Sequence, residues 1–262
     1  MKKHIIDLRI TFVDRLHPRY VLIKGTPADG SRLPEMLPGQ FAQLKVEGSP
    51  ETYLRRPISI HDVTRDTVTS TNKGEEVSFL IALAGKGTRQ LATLKVGDTL
   101  NCIIPLGRGF SMPTTDAPRI LLCGGGVGIA PLLLMGRRMK EAGFEPTFLL
   151  GGRSAGDILR LSEYEALGKV YVTTEDGSMG EQGFVTQHSL WDNAAFDRIA
   201  VCGPMPMMKA VARLAKEKAI DCEVSLENLM ACGIGACLCC VEDTKEGHRC
   251  VCTDGPVFSI DE

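Results

Sequence analysis

Residues Arg119–Glu141 read RILLCGGGVGIAPLLLMGRRMKE. Arg119–Cys123 is an apolar run of strand length, Gly124, Gly125, Gly126 and Gly128 make a glycine-rich turn, and Ala130–Glu141 continues as a helix. That order of strand, glycine turn and helix is how a backbone comes close to a phosphate. The glycines remove side-chain obstruction, and the free amides and dipole of the helix start favour an anion. Pro131 suits the first helical turn, where its missing donor costs little. It also stands where the third glycine of G-x-G-x-x-G would be, so the turn points to a nucleotide fold other than the standard dehydrogenase one. A glycine run alone is equally compatible with a plain tight turn.

The same rhythm continues towards the C-terminus. Thr147–Leu150, Val170–Thr173, Arg198–Cys202 and Cys222–Leu226 read as strands, with helical stretches at Asp157–Leu167 and Pro206–Lys218. Such alternation predicts a parallel, doubly wound sheet over residues 114–226. Ligands in these sheets bind beyond the carboxyl ends of the strands, which would bring Cys202 and Gly203 to the same crevice as the glycine turn. A small buried core residue is the plain alternative for Cys202. Residues 1–113 have a different texture. Ile6–Ile10, Tyr20–Lys24, Phe41–Val46, Ile58–Ile60, Val77–Leu83 and Leu100–Ile104 are short β-rich runs between Gly and Pro turns, with one short helix near Thr88–Leu94. They predict an antiparallel sheet or small barrel.

Composition bounds the function. At roughly 150 residues per domain, 262 residues make about two domains. A net charge of -2 argues against a polyanion partner, so no nucleic-acid role is expected, nor a polybasic membrane anchor. Asp7 and Arg9 interrupt any export-signal core in Met1–Leu16. The longest uncharged stretch, Ile120–Gly136, is too short and glycine-rich to span a membrane, so a cytoplasmic setting is expected. There, ten cysteines call for metal or redox chemistry, and six of them crowd between Cys232 and Cys252. Cys232, Cys237 and Cys240 make C-x4-C-x2-C, followed by Cys250 and Cys252. This is plant-type 2Fe–2S spacing rather than the paired C-x2-C of structural zinc. Cys239 is spare, and Cys250 competes with Cys252 for the fourth ligand position. The five histidines show no metal-ligand spacing, and no acid/base constellation stands out, so no catalytic residue is assigned.

One further segment carries chemistry. Arg55-Arg56-Pro57-Ile58-Ser59-Ile60 offers a guanidinium for a phosphate or a ring system, and Gly87-Thr88 lies at a helix start some 30 residues later. Singly, each reads as a solvated edge strand or an ordinary turn.

In this order the segments resemble the ferredoxin–NADP reductase superfamily, with Arg56-Pro57-Ile58-Ser59 in place of Arg-x-Tyr-Ser. Leu54–Ile60 (LRRPISI), Met230–Cys237 (MACGIGAC) and Cys252–Phe258 (CTDGPVF) resemble, more narrowly, the electron transfer subunits of NAD-dependent dihydroorotate dehydrogenase B. The resemblance spans nearly the whole chain. It implies an FAD-binding β-barrel over 1–113, an NAD-binding α/β domain over 114–226 and a 2Fe–2S domain over 227–262. It implies that Arg56, Pro57, Ile58, Ser59, Gly87 and Thr88 contact FAD, with Leu80, Ile81 and Ala82 beside it. It also implies that Cys232, Cys237, Cys240 and Cys252 hold the cluster, which selects Cys252 over Cys250. The implied partners are NAD(H) and an FMN-containing dihydroorotate-oxidising catalytic subunit, in a heterotetramer of two plus two. Arg65–Glu75 is longer than the family leads one to expect and reads as a hairpin insertion. Two other readings stay open: the reductase subunit of another complex (sulfite reductase, hydrogenase or a ferredoxin-linked transhydrogenase), and a zinc-stabilised binding module. Arg153-Ser154 after the second strand of the nucleotide domain leaves NADP open as well.

Overall fold

The computed structural model describes residues 2–64 and 75–262. Apart from Glu75, the expected hairpin insertion at Arg65–Glu75 lies outside the described residues.

The first sheet is antiparallel throughout. Its strands are β1 (His4–His17), β2 (Tyr20–Pro27), β3 (Phe41–Leu44), β4 (Arg56–Ser59), β5 (Asp62–Thr64), β6 (Glu76–Ala82) and, after helix α1 (Lys86–Leu91), β7 (Thr99–Leu106). They lie in the order β4-β3-β7-β1-β2-β6-β5 and curl around Leu8, Ile10, Val21, Ile23, Leu44, Phe79 and Ile81. Alternation sorts the side chains: Ile81 enters this core, while Leu80 on the same strand faces the opposite way, towards the second sheet.

The second sheet holds β8 (Ile120–Gly125), helix α2 (Ala130–Glu141), β9 (Thr147–Gly152), α3 (Leu161–Glu165), β10 (Lys169–Thr174), β11 (Glu181–Gln182), α4 (Leu190–Asn193), β12 (Arg198–Cys202), α5 (Met205–Glu217) and β13 (Asp221–Ser225). The strand order is β11-β10-β9-β8-β12-β13, all parallel, as the alternating pattern predicts. A hairpin of β14 (Val241–Thr244) and β15 (Gly247–Cys250) follows, then β16 (Val257–Ser259). β16 pairs antiparallel with β13, so the cysteine-rich segment is tied to the second sheet by its last strand.

The two sheets share one apolar cluster in which Tyr20, Leu22 and Leu80 meet Ile120, Leu122 and Leu132. Polar groups fix the contact. Leu134 N donates to His61 O at 3.2 Å, the His61 ring Nδ1 lies 2.8 Å from Ala130 O, and Arg137 grips Asp62 through Nε and Nη2 at 2.8 and 2.6 Å.

Asp157–Leu167 differs from the continuous helix its sequence predicts. A 3-10 turn at Ala155–Asp157 and the short α3 are separated by Arg160 at φ +58°. The cause is tertiary. Asp157 is buried and drawn to Arg19, and Arg160 turns back to pair with Glu163 and Asp14. Glu163 also lies 3.9 Å from His61 Nε2. Desolvation works upward on this carboxyl, but His61 and Arg160 outweigh it and hold Glu163 down at about 2. A carboxyl lowered in the folded state adds stability that is present above the unfolded value of about 4.3 and is lost as pH falls towards 2. Screening of this partly exposed group leaves on the order of 1–2 kcal/mol. Urea unfolding at pH 6 and pH 3 should therefore show less acid sensitivity in Glu163→Gln than in wild type. Equal sensitivity would remove Glu163 from the acid response.

Candidate cofactor clefts and cysteine loop

Gly124 on β8, Cys202 on β12 and Ser225 on β13 stand in one row at the carboxyl ends of three parallel strands. The chain leaves β8 through a 3-10 turn, Gly126–Ile129, into α2. Gly128 has no room for a side chain: a Cβ there would lie 2.5 Å from both Cys202 O and Gly203 Cα. The glycine turn and the Cys202-Gly203 turn are thus packed backbone to backbone. In front of them opens a cleft of about 720 Å³ lined by Gly125, Gly126, Gly128, Gly152, Arg153 and Gly203. Gly124 and Cys202 do not line the cleft; Cys202 is buried behind Gly203, and desolvation, followed by the charge of Glu227, pushes its thiol far up, so it stands neutral.

Residues without a motif complete this cleft. Tyr20 reaches it from the first sheet, and its hydroxyl donates to Asp157 Oδ1 at 3.3 Å. Burial and that carboxylate raise Tyr20 to about 12. Asp157 also takes Arg19 Nη2 at 2.6 Å and Arg153 Nε at 3.3 Å. Glu175 lines the same cleft. Arg153 is marked in the sequence by its place after β9, but Tyr20, Asp157 and Glu175 are not marked by local sequence, because they converge only when the chain folds.

A second cleft, of about 240 Å³, lies between the sheets. Pro57, Ile58 and Ser59 from β4 and Leu80 and Ala82 from β6 form one wall, and Val127, Ala130, Leu226 and Met230 face them. Ile81, buried in the barrel core, does not reach it. Arg56 lies beside Gly87, where a Cβ would come within 2.5 Å of Arg56 Nε. Among the described residues no carboxylate pairs with Arg56; its guanidinium donates only to Arg55 O at 3.4 Å. Thr88 closes its own helix start, with Oγ1 accepting from Gly85 N at 3.1 Å. Val127 and Glu227 line both clefts, so the two are contiguous. Glu227 is solvent-exposed, and partial desolvation by the protein around it raises its carboxyl above its ordinary range.

Glu227 also begins the cysteine-rich segment. All ten cysteines are unbridged. Backbone amides of this loop point at sulfur: Ile234 N and Cys237 N lie 3.4 Å from Cys232 Sγ, Gly235 N 3.2 Å from Cys252 Sγ, and Cys252 N 3.4 Å from Cys240 Sγ. Gly233 at φ +70° and Gly235 at φ +85° allow this fold-back. Among the described residues, no three His, Cys, Asp or Glu side chains converge on one point. Amide-to-sulfur contacts instead link Cys237 to Cys232 and Cys252 to Cys240, a division suited to two irons with two thiolates each. Desolvation acts upward on Cys232, but the Ile234 amide and the Cys237 thiol and amide bring it down to about 6. Cys240 and Cys252 are buried, whereas Cys239 is exposed and its thiol turns to Leu229 O at 3.7 Å. The Cys250 amide is held by Asp254 Oδ2 at 2.8 Å.

Comparison with known proteins agrees with this layout. Residues 122–213 match the model of the oxidoreductase NAD-binding domain. Residues 227–262 match that of the iron-sulfur cluster binding domain of dihydroorotate dehydrogenase B. The fold superposes on the NADH-dependent reduced ferredoxin–NADP oxidoreductase, described for flavin-based electron bifurcation, with a TM-score of 0.83, 29% identity and coverage of 97% of this chain and 88% of that one. Fold and site together define an NAD-linked oxidoreductase of the ferredoxin–NADP reductase type that ends in an iron–sulfur domain. The dihydroorotate dehydrogenase B (NAD(+)) electron transfer subunit of Shouchella clausii is 40% identical over 233 residues, 86% of this chain and 85% of its own. That of Bacillus velezensis is 41% identical over 229 residues, 86% of each chain. The chain belongs to the family of dihydroorotate dehydrogenase B (NAD(+)) electron transfer subunits.

Proposed function

We propose that this chain carries electrons from an FMN-containing, dihydroorotate-oxidising subunit to NAD+, with NAD bound in the 720 Å³ cleft, FAD in the 240 Å³ cleft and a 2Fe–2S cluster on Cys232, Cys237, Cys240 and Cys252. The observation that carries the reading is continuity: Val127 and Glu227 line both clefts, and Glu227 begins the cysteine segment. When bound, a flavin exchanges hydride with nicotinamide and single electrons with a cluster, so the protein's task is placement and potential. We read residues 1–113, 114–226 and 227–262 as the flavin, NAD and cluster units.

Each group finds fitting chemistry. The inward-pointing amides and paired thiols suit a negatively charged sulfur cluster. The apolar walls of the smaller cleft suit a flat ring system, with Arg56 free to meet a phosphate and Gly87 and Thr88 beside it. Gly125, Gly126, Gly128 and Gly203 line the larger cleft and would form its pyrophosphate end, with Gly124 and Cys202 on the strands behind them. There, Arg153 is already paired with Asp157, and Glu175 adds a second carboxylate, an environment favouring NAD over a 2′-phosphate. Around the cysteine loop, Leu229, Ile234 and Leu238 are 87%, 44% and 63% exposed, an apolar patch fit for the catalytic subunit. No helix among the described residues is long and apolar enough to cross a membrane, and we propose a cytoplasmic assembly of two plus two subunits.

Anaerobically purified chain should show flavin and iron–sulfur absorbance, with two irons and two acid-labile sulfides per FAD. A colourless protein with stoichiometric zinc would contradict the proposal. Arg56→Ala should release FAD on dilution, with at least tenfold weaker binding by fluorescence titration, as expected for loss of a charge-assisted contact. Unchanged FAD affinity would move the flavin away from β4.

A further inference from the structure

Gln43, on β3, is completely buried, and neither Nε2 nor Oε1 has a hydrogen-bond partner among the described residues. Native interiors avoid an unpaired primary amide, since its desolvation goes uncompensated. Among the described residues the other orphaned side-chain atoms, His61 Nε2 and Arg160 Nε, belong to the ion network between the sheets; Gln43 lies elsewhere. A Cβ placed on Gly233 would fall 2.5 Å from Gln43 Cγ and 2.7 Å from Nε2. The amide thus abuts the backbone immediately after Cys232. Its strand pairs Gln43 with Pro57, which lines the smaller cleft. Only glycine at 233 leaves the amide this close to the cysteine loop.

We propose that Gln43 donates an Nε2–H hydrogen bond to a sulfur of the cluster held by the cysteine loop, fixing the loop against the barrel and raising the cluster's reduction potential. This rests on the cofactor reading above. The physical basis is charge: reduction makes the cluster more negative, and an N–H directed at sulfur in a buried site favours that form. Gln43 would add a donor from the flavin-binding sheet to the loop's own amides.

The test is an EPR-monitored anaerobic redox titration of the loaded chain, comparing wild type with Gln43→Leu and Gln43→Met, with iron, sulfide and FAD assayed in each. The variants should keep cluster and flavin. At a fixed ambient potential the ratio of reduced to oxidised cluster should fall about tenfold, a midpoint about 59 mV lower for a one-electron couple. The flavin midpoint should stay in place. An unchanged cluster midpoint, or a shift confined to the flavin, overturns the proposal. Met fills a comparable volume without branching, so it carries the test if the Leu variant loses its cluster on purification. Wild-type chain that takes up no iron and sulfide defeats the cofactor reading instead, and metal analysis separates that outcome from the first.

Discussion

Cys252→Ser should purify as a yellow flavoprotein without its cluster, whereas Cys250→Ser should keep both groups. Cys252 is buried in the small core formed with Phe41, Leu106, Met230, Cys240, Val251 and Phe258. Its sulfur accepts the Gly235 amide at 3.2 Å, and its own amide points at Cys240 Sγ at 3.4 Å. Desolvation and the neighbouring Cys240 thiol raise Cys252 to about 12, so the thiol is protonated until bound iron draws the proton away. Serine offers an oxygen of much higher pKa in the same dry pocket, and one corner of the ligand set is lost. In the 240 Å³ cleft proposed for the flavin, one wall is Pro57, Ile58 and Ser59 of β4 with Leu80 and Ala82 of β6, and none of these depends on the cluster, so FAD should remain. Cys250 sits on β15 with its amide tied to Asp254, and no backbone amide among the described residues points at its sulfur. Absorbance, iron, sulfide and FAD content of the two variants decide the matter. The reverse pattern would make Cys250 the fourth ligand.

Gly128→Ala should damage the nucleotide cleft more than any other single methyl group added to the glycine turn. The new carbon would meet the Cys202 carbonyl and Gly203 Cα at 2.5 Å, and neither is a side chain that can swing aside. Relief requires β12 or the turn before α2 to move, and both shape the 720 Å³ cleft. Overpacking of this kind costs about 1–3 kcal/mol of stability. A displaced cleft should raise KM for NADH in a dye-reduction assay by at least tenfold, because backbone approach to the pyrophosphate depends on that turn. FAD content should fall less than NADH affinity, since β4 and β6 form the other wall of the smaller cleft. Wild-type KM in a stably folded variant would mean the nucleotide does not use this turn.

Legibility followed the range of the interactions. The helix Ala130–Glu141 and the parallel strands could be read because their periodicity and glycine turns are local. The cysteine spacing was legible for the same reason: one tight loop carries three of the four proposed ligands. β16 was not, since three residues, Val257–Ser259, carry no period and become a strand only by pairing with β13. The break in Asp157–Leu167 was invisible because its causes, Arg19 and Asp14, lie far away in sequence. Ile81 illustrates a finer limit. The resemblance set Leu80, Ile81 and Ala82 together as one segment, but strand alternation turns Leu80 and Ala82 to the smaller cleft and sends Ile81 into the barrel core. Tyr20 had no motif at all, yet it closes the larger cleft, while Glu227, legible as a residue just before the cysteine motif that could approach the nicotinamide or flavin, lines both clefts.

Electrons from dihydroorotate should reach NAD+ through this chain. The direct measurement is NADH formation from dihydroorotate and NAD+ by the purified chain mixed with an FMN-containing dihydroorotate-oxidising subunit, beside each component alone. The account predicts that only the mixture produces NADH, at a rate that saturates with the catalytic subunit and is abolished by Cys252→Ser. No NADH from the mixture, with both components carrying their full complement of flavin and iron, would contradict it.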